Sequence, residues 1–154
     1  RKQSNFKKLK INFKAIFKVL KKENIKGKIL GGYYSFNYEA DVLRILEDFE
    51  RYNYNIALPK IKKNFKMDFF DWSSNEPLFV NEYGIPEPIS DKIKFPDILL
   101  VPLVAYDKNL NRVGYGGGFY DRYIKAIKKY KKVITIGLAY SFIRVVRIQS
   151  HACR

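Results

Sequence analysis

Hydrophobic residues along this chain follow two spacings, one typical of helices and one typical of buried strands. Over residues 5–23 they recur every three or four positions with lysines between them, which predicts an amphipathic helix with one buried face. Ser4 precedes this segment, and we expect its side chain to cap the helix. Similar spacing predicts helices over residues 39–52 and 120–131.

Short apolar runs without helical spacing separate these helices and predict strands. The runs at residues 97–107 and 133–140 flank the last predicted helix, so they predict a right-handed strand–helix–strand unit with a parallel pair. Alternating helices and strands are typical of an α/β fold with a mostly parallel sheet flanked by helices. The predicted strands are residues 29–35, 55–59, 65–70, the first part of 97–107, and 133–140.

A glycine-rich loop precedes the helix predicted over residues 120–131. Four glycines occupy the five positions from Gly114 to Gly118. Because glycine has no Cβ, such a loop can turn tightly and bring backbone N–H groups close to an anion. The start of a helix adds unpaired N–H groups and the positive end of its dipole. The pattern suits a phosphate site at a sheet edge and a plain turn about equally. It matches neither the usual P-loop nor the dinucleotide fingerprint in its usual context.

Asp121 lies beside this loop. A carboxylate repels bound phosphate unless a cation lies between them, and Mg²⁺ takes oxygen ligands from carboxylates and phosphates together. Asp121 therefore indicates a site for a magnesium–nucleoside triphosphate complex. The alternative is an acidic residue that stabilises the first turn of a helix.

Composition limits the class of protein. The chain has 154 residues, of which 47% are hydrophobic, and this suits a single domain with a substantial core. It has no apolar run of transmembrane length and no apolar signal core near its start. The single cysteine, Cys153, fits a reducing compartment, so we expect a cytoplasmic protein without membrane contact. The single histidine, His151, is weak evidence for a metal or a base.

The net charge of +15 attracts polyanions. The lysines are spread along the whole chain and form no basic stripe with a recognisable motif. We therefore expect no dedicated nucleic-acid binding, although a positive field of this kind helps to gather anionic small molecules.

Three segments at a fixed spacing carry a resemblance to a known family. They are the sequence Asp-Ile-Leu-Leu-Val-Pro from Asp97, the triplet Ala-Tyr-Asp at residues 105–107, and the run Arg-Val-Gly-Tyr-Gly-Gly-Gly-Phe-Tyr-Asp-Arg from Arg112. Together they resemble the signature of the 5-formyltetrahydrofolate cyclo-ligase family, also called methenyltetrahydrofolate synthetase. The resemblance implies a three-layer fold similar to the NagB–RpiA–CoA transferase class. It also implies ATP- and Mg²⁺-dependent closure of 5-formyltetrahydrofolate to 5,10-methenyltetrahydrofolate.

The resemblance also implies roles for particular residues. Arg112 would stabilise developing charge and Asp121 would hold Mg²⁺, so both are implied catalytic residues. The implied substrate is 5-formyltetrahydrofolate, with or without a polyglutamylated tail. Its implied contacts are Tyr34, Glu39, Gly116, Gly118 and Tyr120. On the residues alone, Glu39 is more readily explained as a charge at a helix start. Implied ATP contacts are Arg112, Val113, Gly114, Tyr115, Gly116, Gly117, Gly118, Phe119 and Tyr120.

The resemblance covers about residues 5–142 and weakens at both ends. The basic helix that opens family members is missing, Ile143 stands where the family has a Gln, and the tail at 144–154 lacks the Asp that would complete the magnesium site. We expect one cyclo-ligase-like domain over residues 1–154, monomeric, and either a fragment or an altered copy. Two other hypotheses remain: an inactive remnant that binds folate or nucleotide, and a basic nucleic-acid-binding protein.

Overall fold

The computed structural model describes residues 12–35, 40–103, 105–106, 112–113, 117–138 and 146–147. No helix in these ranges is both long enough and apolar enough to cross a membrane. The elements are α1 (Phe13–Lys22), β1 (Ile29–Gly31), α2 (Leu43–Arg51), β2 (Asn55–Lys62), a 3-10 turn (Lys63–Phe65), β3 (Lys66–Trp72), β4 (Leu78–Val80), β5 (Pro86–Pro88), β6 (Ile93–Lys94), β7 (Ile98–Pro102), β8 (Ala105–Tyr106), β9 (Arg112–Val113), α3 (Phe119–Ile127), β10 (Ile134–Leu138) and β11 (Val146–Arg147).

The main sheet has the strand order β11-β10-β7-β1-β2-β3-β6. Its centre is parallel, because β10 pairs with β7, β7 with β1, and β1 with β2 in that sense. At the two sides β11, β3 and β6 join antiparallel. The predicted α/β class with a mostly parallel sheet flanked by helices is confirmed, and so is the parallel pair of β7 and β10 around α3.

Two apolar layers cover the sheet. On β7, Ile98 and Leu100 face a core that includes the buried sides of α1 and α2. Leu99 and Val101 face a second core, which the buried side of α3 completes. A strand covered on both faces has no polar side, which explains why β7 is a continuous apolar run in the sequence.

Several boundaries differ from those predicted. α1 begins after Asn12, whose side chain accepts a hydrogen bond from the backbone N–H of Ala15 at 3.1 Å, whereas Ser4 lies outside the described residues. β1 ends at Gly31, four residues before the predicted end. Gly31 packs tightly against the neighbouring strand, since a Cβ there would lie 2.6 Å from a methyl of Leu99. β2 continues past Pro59 to Lys62, since β3 pairs with it along its full length.

An ion pair lies at the edge of the sheet where the parallel strands begin, opposite to their carboxyl ends. Asp97, just before β7, is 8% exposed and accepts the backbone N–H of Ile29 at 3.0 Å. Its other oxygen lies 2.6 Å from Nζ of Lys131, which follows α3. This carboxylate therefore joins the starts of two central strands to the end of the crossover helix.

Candidate functional site

The candidate site lies at the edge of the sheet where the parallel strands end. α3 leaves this edge after β7 and returns the chain to the start of β10, so its first turn lies beside the carboxyl ends of the strands. Open α/β sheets bind ligands at this edge. Tyr34 follows the end of β1 by three residues and is 37% exposed. The hairpin of β8 and β9 follows β7 directly.

The cap residue of α3 is a glycine, Gly118, which contributes no side chain to the helix start. It adopts a left-handed conformation with φ of 65°, which an L-residue rarely takes. A Cβ there would also lie 2.8 Å from Nη1 of Arg122, so the guanidinium would have to shift. The first turn that follows Gly118 lies at the positive end of the helix dipole.

Arg122 folds back along α3 onto the glycine loop. Its Nη2 donates hydrogen bonds to the carbonyl oxygens of Gly117, at 2.8 Å, and of Phe65, at 2.9 Å. Its Cζ lies 5.2 Å from the centre of the Phe119 ring. Arg122 was given no role from the sequence. A helical side chain points toward the start of its helix, so an arginine four residues after the cap glycine could have indicated this contact with the loop.

Aromatic residues fix α3 against the edge of the sheet. The ring of Phe119 lies 6.3 Å from that of Phe65, and the ring of Tyr120 lies 6.4 Å from that of Phe69. Tyr123 is buried with its ring 4.9 Å from Phe69. Burial first, and the nearby carboxylate of Asp68 second, raise the pKa of Tyr123. Phe119 and Tyr120, both implied ATP contacts, are half-buried against the core.

Asp121 lies in the first turn of α3 and is exposed. Among the residues that the structure describes, no cluster of three or more His, Cys, Asp or Glu side chains could hold a metal ion. Mg²⁺ does not need such a cluster, since it commonly binds one or two carboxylates together with substrate phosphates and water. The donor set near α3 therefore fits a cation that arrives with its phosphate ligands.

The structure brings five of the implied site residues together at this helix start: Gly117, Gly118, Phe119, Tyr120 and Asp121. For Arg112 and Val113 the backbone is described, as strand β9 paired with β8. The implied residues Glu39, Gly114, Tyr115 and Gly116 lie outside the described ranges.

The sequence profile of the 5-formyltetrahydrofolate cyclo-ligase family matches residues 5–150. The 5-formyltetrahydrofolate cyclo-ligase of Haemophilus influenzae is 35% identical over 125 residues, covering 77% of this chain and 66% of that protein. The enzyme of that name from Mycoplasma genitalium is 32% identical over 134 residues, covering 86% of this chain and 70% of that protein.

Solved structures share the fold. The 5,10-methenyltetrahydrofolate synthetase of Aquifex aeolicus is 28% identical with a TM-score of 0.59, covering 82% of this chain and 63% of that one. The Mycoplasma pneumoniae synthetase is 24% identical with a TM-score of 0.54, covering 82% of this chain and 67% of that one. The chain thus spans about two thirds of the length of these proteins. Since the profile matches nearly all of the sequence, this chain belongs to the 5-formyltetrahydrofolate cyclo-ligase family.

Proposed function

We propose that this chain converts 5-formyltetrahydrofolate to 5,10-methenyltetrahydrofolate, with ATP as co-substrate and Mg²⁺ as the metal. The observation that carries the proposal is the left-handed glycine start of α3 at Gly118, with Asp121 in the first turn, in a chain of this family. The N–H groups of a helix start suit phosphate oxygens, and the exposed carboxylate of Asp121 suits the cation that accompanies them.

The proposed reaction has two steps. The formyl oxygen of the folate attacks the γ-phosphorus of ATP, an O–P bond forms, and ADP leaves with the bridging oxygen. N10 then attacks the formyl carbon, the ring closes, the N10 proton is lost to water, and the C–O bond to phosphate breaks. The products are 5,10-methenyltetrahydrofolate, ADP and phosphate, so no protein nucleophile is required.

Phosphoryl transfer depends on positioning and on neutralising charge. In the proposal, the backbone at Gly117 and Gly118 binds phosphate oxygens. Asp121 would hold Mg²⁺, which when bound would neutralise charge at the phosphates. Arg112 stabilises the charge that develops during transfer, and Tyr34 with Glu39 contacts the folate.

Absorbance of the methenyl product tests the proposal. Purified protein is mixed with 5-formyltetrahydrofolate, ATP and Mg²⁺, and each component is omitted in turn. We expect product only in the complete mixture. Folded protein that forms no product in the complete mixture contradicts the proposed activity, and calorimetric binding of ATP or folate without turnover then favours an inactive remnant.

The role of Asp121 has a matched control. Asp48 is an acidic residue of α2, and its only described ion pair is a surface contact with Arg51 at 3.1 Å. Because surface pairs contribute little to stability, Asp48→Asn removes one negative charge at small cost. We expect Asp121→Asn to lower kcat by about 100-fold, the order of a lost charge-stabilising contact, and Asp48→Asn to leave it within about twofold. Equal activity of the two variants contradicts the metal role.

A further inference from the structure

The side chain of Arg122 joins two segments that are far apart in the sequence. A single nitrogen, Nη2, donates to the carbonyl of Gly117 before α3 and to the carbonyl of Phe65 in the turn between β2 and β3. The phenyl rings of Phe65 and Phe119 lie 6.3 Å apart beside it. The glycine loop is therefore attached to the β2–β3 turn by one guanidinium and a ring contact.

The β2–β3 turn is itself strained. Asn64 and Phe65 adopt φ of 62° and 56°, and Phe65 is 72% exposed. A bulky residue in the left-handed region is unusual, and such strain persists where the surroundings hold it in place. An exposed phenylalanine gains little burial in return. Arg122, which binds the Phe65 carbonyl, is one of the groups that hold this conformation.

We propose that Arg122 is a positioning residue that sets nucleotide affinity by fixing the orientation of the peptide group between Gly117 and Gly118. This proposal rests on the proposed function. In a trans peptide the C=O and the N–H point in opposite directions. When Arg122 binds the Gly117 oxygen, the N–H of Gly118 points away from Arg122. A glycine–glycine peptide rotates easily, and the rotated form would turn a carbonyl oxygen toward the phosphates.

Three variants separate this role from a simple effect of charge. Arg122→Gln removes the charge and the planar donor group, whereas Arg122→Lys keeps the charge without the planar group that reaches both carbonyls. Lys125→Gln removes one charge from an exposed position of the same helix. The measurements are Kd for Mg–ATP by calorimetry and, where turnover is present, KM for ATP and kcat.

We expect both Arg122 variants to raise Kd and KM for ATP about tenfold while kcat changes by less than about threefold, because the loop still forms but is less often in the binding conformation. Lys125→Gln should stay within about twofold of the wild type. Amide hydrogen exchange at Gly118 should become faster in the Arg122 variants without ligand. A role in charge alone predicts that Arg122→Lys binds like the wild type, and this result overturns the proposal.

Failure of this inference differs from failure of the proposed function. If the wild-type protein binds Mg–ATP and all three variants bind it equally, Arg122 has no positioning role and the proposed function stands. If the folded wild-type protein binds no Mg–ATP, the proposed function and this inference both fail.

Discussion

Replacement of Gly118 by alanine tests whether the start of α3 binds phosphate. Gly118 has φ of 65°, and its Cβ would lie 2.8 Å from Nη1 of Arg122. Gly84, in the turn between β4 and β5, has φ of 76°, and a Cβ there would meet nothing within 4 Å. Gly84→Ala is therefore a matched control that introduces the same kind of backbone strain without a steric contact.

The destabilisation from backbone strain and that from displacing Arg122 can be estimated separately. Alanine in the left-handed region costs about 1 kcal/mol at either position. At Gly118 the guanidinium of Arg122 must also move, and weakening of its two hydrogen bonds costs about another 1 kcal/mol. For a chain of this size about 1 kcal/mol lowers Tm by about 2–4 °C. Gly84→Ala should thus lower Tm by about 2–4 °C, and Gly118→Ala by about 4–8 °C.

Thermal melts with and without Mg–ATP provide the assay. A ligand at 100 times its Kd stabilises the native state by about 2.7 kcal/mol, and each tenfold loss of affinity removes about 1.4 kcal/mol of this. We expect Gly84→Ala to keep the full rise in Tm on adding Mg–ATP, and Gly118→Ala to lose at least half of it. A Gly118→Ala protein that retains the full rise would refute the argument for a phosphate site at this helix start.

Three further predictions concern stability. Asp97→Ala should lower the free energy of unfolding, measured by urea denaturation, by about 2–3 kcal/mol, because the N–H of Ile29 and the ammonium of Lys131 lose their shared partner. A loss below about 0.5 kcal/mol would contradict a stabilising role of Asp97. Phe65→Asn should leave Tm unchanged or raise it, because asparagine tolerates φ of 56° and the phenyl ring of Phe65 is 72% exposed. A fall in Tm of several degrees would show that the ring stabilises the fold more than its exposure indicates. Tyr123→Phe should be neutral or stabilising near pH 7, since the buried hydroxyl has no hydrogen-bond partner among the described residues. Because the pKa of Tyr123 is raised in the folded state, above about pH 10 the unfolded chain loses this proton first and stability falls as pH rises. The phenylalanine variant should show a smaller fall between pH 9 and about pH 11, and an equal fall in both proteins would contradict the raised pKa.

Features that depend on neighbouring residues in the sequence were predictable. The parallel pair of β7 and β10 could be predicted because strands that are buried on both faces are long apolar runs. Helix α3 could be predicted because its buried positions recur at helical spacing. The candidate site at the glycine loop and Asp121 could be predicted because its residues lie within eight consecutive positions, Gly114 to Asp121.

Features that depend on distant residues were not predictable. Arg122 and the Phe65 carbonyl are 57 positions apart, so no local spacing relates them. The same holds for Asp97 and Ile29, which are 68 positions apart. Pro59 was predicted to end a strand, yet β2 continues because β3 supplies partners on the other side. The outermost strands β6 and β11 were missed because each has two residues, too few for a periodic pattern.

We have proposed that ATP binds at the start of α3 as its magnesium complex, with Asp121 as a ligand of the metal. Calorimetric titration of ATP into the wild-type protein and into Asp121→Asn, each with Mg²⁺ and with the metal chelated, tests this binding mode. Mg²⁺ should tighten ATP binding to the wild-type protein at least tenfold and to Asp121→Asn about twofold or less. Equal tightening by Mg²⁺ in both proteins, or no ATP binding to the folded wild-type chain, would contradict it.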